Sequence, residues 1–250
     1  MFAEERKSKI TEMIKNGKSV RVSELAKQFG VSESTIRRDL ADLETIGMIK
    51  RTHGGAVDNF ITSFEPSFAE KEDKYAKEKE HIGKLAASFI KDGDTIILDS
   101  GTTTKYIVPN ITAKNVTIIT NSLNIAYELS NNSNFEVIVT GGLLRTRTQA
   151  LVGDIAQGTL RQFRVDKAFI GANGVSLRFG VTTPNVIEAA TKRAMMENAK
   201  EIFLVIDSSK FDQVSFSLIC PVNTIDYIVT DRIEESERVQ YEKIGVRIIT

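Results

Sequence analysis

One segment constrains the fold of this chain more than any other: residues 32–40, with the sequence Ser-Glu-Ser-Thr-Ile-Arg-Arg-Asp-Leu. Ser32 is a typical N-cap residue, because its hydroxyl can accept a hydrogen bond from the free amides of the next turn. The apolar residues Ile36, Leu40 and Leu43 recur at i, i+4 and i+7, so they share one side of a helix. The segment therefore predicts a helix with an apolar back and a basic, hydroxyl-rich front, formed by Ser34, Thr35, Arg37 and Arg38.

The neighbouring segments predict a helix-turn-helix around this helix. Residues 23–29 have the pattern of a short helix, and Gly30-Val31 supply a tight turn after it. An earlier helix, over about residues 3–16, adds a third apolar face and closes a small core. Residues 49–56 predict a short strand, a basic tip and a glycine turn. We interpret them as a wing, with its basic side chains on Lys50, Arg51 and His53.

A basic helix front with an apolar back suits the major groove of DNA, where arginine binds guanine or phosphate. The predicted helix-turn-helix and wing include Arg6, Ile10, Ile14, Ser32 and residues 35–40 and 50–56. At these positions the chain resembles the helix-turn-helix and wing of DeoR-type bacterial transcriptional regulators. The resemblance implies a winged domain that binds a double-stranded DNA operator.

Asp39 is the one acidic residue within the basic stretch of the predicted DNA-binding helix. A carboxylate beside DNA phosphates would be repelled, so we do not assign it to DNA. We expect it to brace Arg37, Arg38 or a helix terminus.

The charge of the chain is unevenly distributed. Lys and Arg number 33 and Asp and Glu number 33, so the formal net charge is zero. Residues 1–57, however, hold 11 Lys and Arg against 8 Asp and Glu, which leaves the remaining residues net acidic. The positive charge thus lies where a DNA contact is expected, and an acidic body follows it.

Composition excludes several classes of protein. Cys220 is the only cysteine, so an intrachain disulfide and a cysteine-rich metal site are excluded. His53 and His81 lie far apart in sequence and match no metal-ligand spacing. No apolar run reaches the roughly 18 residues that a membrane span needs. We therefore expect a cytoplasmic protein that needs no metal and no cofactor and does not interact with membranes.

From Asp94 onward, short β-branched runs alternate with helical patterns, which predicts a largely parallel α/β sheet. The predicted strands cover residues 95–99, 116–120, 136–140, 167–171, 202–207, 227–230 and 246–249. The predicted helices cover about residues 103–108, 123–130, 154–161, 187–199 and 234–244. The expected fold class is α/β, with a winged helix-turn-helix domain over 1–57, a linker over 58–74 and a larger α/β domain over 75–250.

Polar or glycine-rich residues follow five of the predicted strands. In parallel α/β sheets, ligands bind beyond the carboxyl ends of the strands. Glycine allows close backbone approach, hydroxyls can donate, and free amides at a helix N-terminus attract an anion. The five ends predict one site for a small polyhydroxylated anion, with Lys210 meeting its phosphate. The five polar strand ends are residues 99–104, 120–122, 140–142, 171–174 and 207–210.

Glu188 and Lys192 stand four residues apart on the predicted helix 187–199. This spacing places both side chains on one face, so we expect a structural ion pair between them.

This second region resembles the sensor domain of the DeoR family, which is similar in fold to ribose-phosphate isomerases and binds phosphorylated sugars or related metabolites. The resemblance implies an effector site formed by Asp99, Ser100, Gly101, Thr102, Thr103, Thr104, Asn121, Ser122, Asn173 and Lys210.

Three functions are compatible with this sequence. The first is a metabolite-responsive repressor of sugar-catabolic genes, which a phosphorylated effector releases from DNA; one winged domain per chain and repeated half-sites then imply a homo-oligomer. The second is a sugar-phosphate isomerase with a DNA-binding appendage. It ranks lower, because Asn173 stands where the isomerases carry acidic residues and cannot take a proton, although Asp99 remains a possible base. The third is a constitutive DNA-binding protein whose α/β domain only oligomerises it.

Overall fold

The structure, a computed structural model, describes residues 2–15, 20–45, 48–52, 54–58, 65–130 and 132–250. The chain divides into two units, Met1–Pro66 and Ser67–Thr250. The unit boundary falls inside the segment 58–74, which the sequence assigned to a linker. Ser67 and the residues after it belong to the second unit and form a capped helix there.

The first unit combines helices with a small antiparallel sheet. Its elements in chain order are α1 (Ala3–Lys15), β1 (Val20–Arg21), α2 (Val22–Phe29), α3 (Glu33–Thr45), β2 (Ile49–Thr52) and β3 (Gly55–Asp58). The strands pair antiparallel in the order β1-β3-β2. The predicted winged helix-turn-helix is confirmed. Strand β1 was not predicted, because two residues carry no periodic pattern.

The turn between α2 and α3 is set by its own residues. Gly30 adopts φ 64°, a left-handed conformation that glycine reaches without strain, and the Val31 amide donates to the carbonyl of Ala26 at 3.1 Å. Ser32 then caps α3, since its Oγ accepts from the Thr35 amide at 3.2 Å. Local chemistry therefore fixes where each helix ends and begins.

The core of the first unit is the one that helical spacing predicted. Ile36, Leu40 and Leu43 of α3 are buried together with Ile10 of α1 and Leu25 of α2. Burying side chains of this size contributes about 1.5–3 kcal/mol each, so the apolar back of α3 is what holds this helix in place.

One glycine is required in the wing. Strand β3 passes so close to β1 that a Cβ on Gly55 would lie 1.7 Å from the carbonyl oxygen of Val20. A Cβ on the preceding Gly54 would meet nothing within 4 Å. Position 55 therefore excludes any side chain, whereas position 54 has room for one.

The second unit is built on a parallel sheet with two smaller antiparallel sheets. Its strands are β4 (Thr95–Leu98), β5 (Val116–Thr120), β6 (Phe135–Val139), β7 (Leu143–Arg145), β8 (Ala150–Val152), β9 (Val165–Ile170), β10 (Gly174–Ser176), β11 (Gly180–Thr183), β12 (Ala199–Val205), β13 (Ser217–Cys220), β14 (Tyr227–Val229) and β15 (Arg247–Ile249). Its helices are α4 (Phe68–Glu72), α5 (Ala76–Ala87), α6 (Thr102–Lys105), α7 (Leu123–Leu129), α8 (Asp154–Leu160), α9 (Val186–Met196) and α10 (Glu235–Lys243).

The main sheet has seven parallel strands in the order β15-β14-β12-β9-β4-β5-β6. Both of its faces are covered. Ile96 and Leu98 of β4 belong to the apolar cluster that includes Ile82 of α5, whereas Ile97 belongs to the cluster that includes Met195 of α9. Burial on both faces explains why these strands are continuous apolar runs rather than alternating ones.

All seven predicted strands are present, and the expected α/β class is confirmed. The differences lie at the ends of elements and in the short strands. The predicted helix 103–108 ends at Lys105, and the predicted helix 187–199 ends at Met196 because Ala199 already belongs to β12. The hairpin β7-β8 and the sheet β10-β11-β13 were missed, since they are short and lack a clear period. None of the helices in the described part of the chain is long and apolar enough to cross a membrane.

Candidate functional site

The outer face of α3 is polar and open to solvent. Arg37, Arg38 and Ser34 are exposed, and Thr35 is half-buried. Arg37 forms a 2.9 Å ion pair with Glu33, one turn earlier on the same helix. Because that pair is exposed, it can be exchanged for a phosphate at little cost. The four residues predicted to contact DNA thus share one solvent-facing side of α3.

Asp39 lies on the same helix but points into the core. Its carboxylate accepts from Arg6 of α1 at 2.5 Å from Nε and 3.1 Å from Nη2, and both side chains are buried. This hydrogen bond raises the pKa of Arg6, so the guanidinium stays charged. Asp39 has a structural role, as expected, but the prediction that it pairs with Arg37 or Arg38 was wrong, because its partner is Arg6. The pairing joins two helices through residues 33 positions apart, which no local pattern reveals.

The wing is described only in part. Arg51 is exposed, its backbone amide donates to Glu44 Oε1 at 2.8 Å, and its guanidinium lies 3.9 Å from the same carboxylate. Lys50 lies in β2, but its side chain is outside the described part of the structure. His53 lies outside the described residues. Of the three basic residues predicted for the wing, Arg51 is thus the one whose side-chain surroundings are described.

Five polar strand ends meet at one edge of the main sheet, which we call the polar edge. The strands β12, β9, β4, β5 and β6 are neighbours in this order and run parallel. The residues that follow them therefore stand side by side. They are Asp207, Gly171, Asp99, Asn121 and Thr140, all of them buried.

Asp99 is at the centre of the polar edge and is fully buried. Its Oδ2 accepts from the Gly171 amide at 2.9 Å and from Nζ of Lys192 on α9. Its Oδ1 has no hydrogen-bond partner among the described residues. A buried acceptor without a partner costs about 1–3 kcal/mol. This oxygen therefore calls for a donor that the described residues do not supply, such as a water or a bound molecule.

The loop after Asp99 is held by its own hydroxyls. Thr104 Oγ1 donates to the carbonyls of Asp99 at 2.6 Å and Gly101 at 2.8 Å, and the side chain is fully buried. The other hydroxyl side chains of the loop are also buried and belong to Ser100, Thr102 and Thr103. Because α6 has only four residues, its dipole contributes less to anion binding than the predicted helix would have.

Asn121 and Ser122 have different roles at the end of β5. Asn121 Nδ2 donates to the Leu151 carbonyl at 3.1 Å, while its Oδ1 is buried and has no partner among the described residues. Ser122 caps α7, because its Oγ accepts from the Ile125 amide at 3.3 Å. Asn121 thus presents a second unpartnered acceptor one strand away from Asp99, and Ser122 is a structural cap.

The remaining two predicted residues lie farther along the edge. Asn173 is half-buried, and its Oδ1 accepts from Thr183 Oγ1 at 3.1 Å. Lys210 is also half-buried, with its Nζ 2.9 Å from Ser209 Oγ and 3.5 Å from Asp207 Oδ2. Lys210 therefore brings a partly exposed positive charge to the end of β12.

Two charged residues of α9 belong to the polar edge, and the expected ion pair between them was wrong. Lys192 pairs with Asp99, whereas Glu188 accepts from Arg145 of β7 and from the hydroxyl of Thr148. A signal was present in the sequence, because both charges lie on a helix face that also carries apolar residues. Their partners come from segments 93 and 43 positions away, respectively.

Lys79 of α5 is a further buried cation that sequence reasoning missed. Burial lowers its pKa to about 8, partly opposed by the negative charge of Asp207, while the positive charge of Lys210 lowers it further. Its Nζ donates to the carbonyls of Lys71 and Glu72. Lys79 thus connects the start of the second unit to the surroundings of Lys210.

Other reactive groups give no sign of a second chemistry. Burial raises the pKa of the Cys220 thiol to about 12, so this cysteine is an inert apolar side chain. Within the described ranges, no group of His, Cys, Asp and Glu is arranged to hold a metal ion.

A helix with exposed arginines on a winged domain, in one chain with a parallel α/β unit that has a buried polar edge, is typical of a transcriptional regulator with a sensing domain. Residues 6–62 match the family model of the DeoR-like helix-turn-helix domain, and residues 74–232 match that of the DeoR C-terminal sensor domain. The chain belongs to the DeoR family of helix-turn-helix transcriptional regulators.

Curated relatives cover nearly the whole chain. It is 38% identical to the regulator YulB of Bacillus subtilis, over 92% of this chain and 90% of that protein. It is 36% identical to a putative aga operon transcriptional repressor of Escherichia coli O157:H7, over 98% and 93% of the two chains. It is 35% identical to a lactose phosphotransferase system repressor of Staphylococcus epidermidis, over 94% and 96%.

Solved structures with a similar backbone are more distant. Ribose 5-phosphate isomerase A of Methanocaldococcus jannaschii matches with a TM-score of 0.40 and 18% identity, over 55% of each chain. The delta subunit of eIF2B from Chaetomium thermophilum matches with a TM-score of 0.48 and 15% identity, over 65% of this chain and 58% of that chain. At this distance no residue role is transferred from either structure.

Proposed function

We propose that the protein is a repressor of carbohydrate genes that binds operator DNA through its first unit and a phosphorylated sugar, or a related metabolite, at the polar edge of its second. The relatives described as an aga operon repressor and a lactose phosphotransferase system repressor support this function. Because it is proposed to bind operator DNA, we also propose that the protein acts in the cytoplasm.

The observation that carries the effector proposal is a pair of buried acceptors that follow neighbouring strands, Asp99 Oδ1 and Asn121 Oδ1, which have no partner among the described residues. Buried acceptors are satisfied by donors, and the hydroxyls of a sugar are donors of suitable size. Lys192 and Arg145 are paired with Asp99 and Glu188, but Lys210 is partly exposed and lies 3.5 Å from Asp207, so it can turn to a negative group of the ligand. Hydroxyls and negative charge together describe a sugar phosphate.

The remaining predicted residues of this site have defined places in the proposal. The backbone of the loop from Ser100 to Thr104 lies beside the ligand, with Thr104 holding the loop in shape. Asn173 and Lys210 lie at its outer side, where Lys210 meets the phosphate. Ser122 positions Asn121 through its capping of α7.

On the DNA side, we assign Ser34, Thr35, Arg37 and Arg38 of α3 to the major groove. Lys50, Arg51 and His53 of the wing are assigned to the sugar-phosphate backbone or the minor groove. Arginine on a groove-facing helix supplies base or phosphate contacts, and the family's helix-turn-helix model supports this placement. Because such domains read repeated half-sites, we propose that the protein acts as a homo-oligomer.

The alternative of an isomerase ranks lower. Asn173 accepts a hydrogen bond from Thr183 and its amide cannot take a proton from a substrate carbon. Asp99 is the remaining candidate base, yet one of its oxygens is already bound by Lys192 and the Gly171 amide. We therefore propose that the domain senses its ligand without converting it.

A two-part experiment tests the proposal. The full-length protein is screened by thermal shift against ribose 5-phosphate, glucose 6-phosphate, fructose 1-phosphate and inorganic phosphate, with ribose, glucose and fructose as unphosphorylated controls. Its affinity for a duplex selected from random DNA is then measured with and without each compound. We expect a phosphorylated compound to raise the melting temperature and weaken DNA binding. Turnover of a sugar phosphate, or no response to any compound, would contradict the proposal.

A further inference from the structure

Helix α4 is the first element of the second unit, so the chain enters it directly from the DNA-binding unit. It is five residues long and has a capping box, in which Ser67 Oγ accepts from the Glu70 amide and the Glu70 carboxylate accepts from the Ser67 amide at 2.8 Å. Phe68 is buried. A helix this short is not stable alone, so the contacts of α4 with the rest of its unit decide where it lies.

The first of these contacts reaches the hairpin at the polar edge. The Phe68 amide donates to the carbonyl of Arg147 at 2.8 Å. Arg147 lies between β7 and β8 in the same turn as Thr148, whose hydroxyl donates to Glu188. A ligand that displaces this turn therefore also displaces the hydrogen-bond partner of the first residue of α4.

The second contact reaches the loop after Asp99. Lys105 is the last residue of α6, and its Nζ lies 2.8 Å from Glu72 Oε1 at the end of α4. The hydrogen bond with Glu72 raises the pKa of Lys105, so the pair stays charged. Helix α6 begins at Thr102, so a ligand bound to this loop acts on α4 through one short helix.

The third contact reaches the end of β12. Lys79 donates to the last carbonyls of α4, those of Lys71 and Glu72, and its charge interacts with Asp207 and Lys210. Lys210 Nζ also lies 5.9 Å from the ring centre of Tyr75, in the short connection between α4 and α5. A negative charge arriving at Lys210 therefore changes the electrostatic surroundings of the cation that holds α4.

We infer that α4 transmits occupancy of the polar edge to the DNA-binding unit. It contacts the hairpin turn through Arg147 and helix α6, which follows the Asp99 loop, through Lys105. It reaches the end of β12 through Lys79, and it is the first element of its unit. A shift of any one of these segments changes the partners of α4, the first element after the chain leaves the DNA-binding unit. This inference rests on the proposed function and specifies how its two units communicate.

The test uses variants that break one contact of α4 without entering the polar edge. Glu72→Gln and Lys105→Met each remove the ion pair at the end of α4. Glu80→Gln is the control for loss of an acidic charge, because Glu80 forms an ion pair of similar length, 2.9 Å from Lys84, within α5. Each protein is titrated with the three sugar phosphates and inorganic phosphate, and its DNA affinity is measured at every ligand concentration.

We expect the wild type and Glu80→Gln to lose DNA affinity by a factor of roughly 5–150 when a sugar phosphate is bound, the usual range of allosteric coupling. Glu72→Gln and Lys105→Met should bind the same compound with an affinity within about twofold of the wild type. Their affinity for DNA without ligand should also be within about twofold. The loss of DNA affinity that the ligand causes, however, should be at least about threefold smaller than in the wild type.

Three outcomes overturn the inference. An unchanged ligand effect on DNA affinity in both variants shows that α4 does not transmit it, and the proposed function survives. Loss of ligand binding in both variants places the pair in the site itself. Absence of any ligand binding to the wild type removes the proposed function together with the inference. Hydrogen exchange of the α4 amides in the wild type is a check that needs no variant: their protection should change on ligand binding, and unchanged protection contradicts the inference.

Discussion

Asp39 of α3 accepts two hydrogen bonds from the buried guanidinium of Arg6 in α1, at 2.5 and 3.1 Å. This pairing fixes α3 against the first helix of the unit. It also explains how an acidic residue can stand beside two exposed arginines that we propose to contact DNA, because its charge is turned inward and neutralised.

Replacing Asp39 should therefore destabilise the first unit. We expect Asp39→Ala to lower the free energy of opening by roughly 3–5 kcal/mol, because Arg6 would remain buried without the Asp39 carboxylate. The measurement is hydrogen exchange of the α3 amides. Asp42→Ala is the control, since Asp42 pairs at 2.7 Å with Lys7 of α1 but is exposed. Equal effects of the two changes would show that burial of the Arg6 pair does not matter.

The two arginines of α3 should differ in their effect on DNA affinity. Arg38 has no ion-pair partner among the described residues, whereas Arg37 must release Glu33 before it contacts DNA. We expect Arg38→Ala to weaken binding roughly 10- to 100-fold and Arg37→Ala to weaken it less. Glu33→Gln should strengthen binding slightly. Fluorescence anisotropy at fixed salt measures all three, and Lys9→Ala on α1 serves as the charge control. Unchanged affinity in both arginine variants would refute the assignment of α3 to DNA.

The wing should tolerate a methyl group at one glycine and not at its neighbour. In Gly55→Ala the added Cβ would collide with the backbone of Val20, so we expect a loss of roughly 3 kcal/mol or more and loss of DNA binding. Gly54→Ala has open space and should change little. Thermal unfolding and DNA anisotropy of the two variants check this. Comparable behaviour would mean that β3 does not approach β1 this closely.

Substitutions of two lysines at the polar edge should both abolish the response to ligand, but only one of them should lower the stability of the protein. Lys210→Ala should abolish the response to sugar phosphate with little loss of stability, because Lys210 is partly exposed. Lys192→Met should abolish it too and also cost about 3–5 kcal/mol, because Asp99 would remain buried without its cation. Neither should weaken DNA binding in the absence of ligand. A full ligand response of Lys210→Ala in thermal-shift titrations would remove Lys210 from the site.

Lys79 should give the protein a characteristic pH dependence. Burial lowers its pKa from 10.5 to about 8, so between these values the unfolded chain binds more protons at this residue than the folded protein does. The contribution of Lys79 to the free energy of unfolding should therefore rise as the pH increases from about 8 to about 10.5. It should fall again when the pH is lowered through this range. The difference in unfolding free energy between wild type and Lys79→Met, measured across this range, isolates the effect from other titrating groups. A difference that is flat with pH would contradict it.

Much of this molecule could be predicted from patterns confined to a few residues. The spacing of Ile36, Leu40 and Leu43 identified the buried side of α3, and the β-branched runs identified all seven strands of the main sheet. Parallel strands direct their carboxyl ends to one edge, so the grouping of Asp99 with Asn121 followed from strand identity alone.

The pairing of charges was decided by the tertiary structure. Glu188 and Lys192 are neighbours on one helix, and local rules joined them to each other, yet the fold offers each a buried partner from a distant segment. Asp39 was assigned a local partner for the same reason. Sequence patterns report periods of two to four residues, because these are the repeats of strands and helices. Ion pairs between elements depend on which faces the packed core brings together, and a single sequence holds no local signal for that. The contacts of α4 with the polar edge belong to the same kind of information: the sequence provides the residues, and only the fold brings them together.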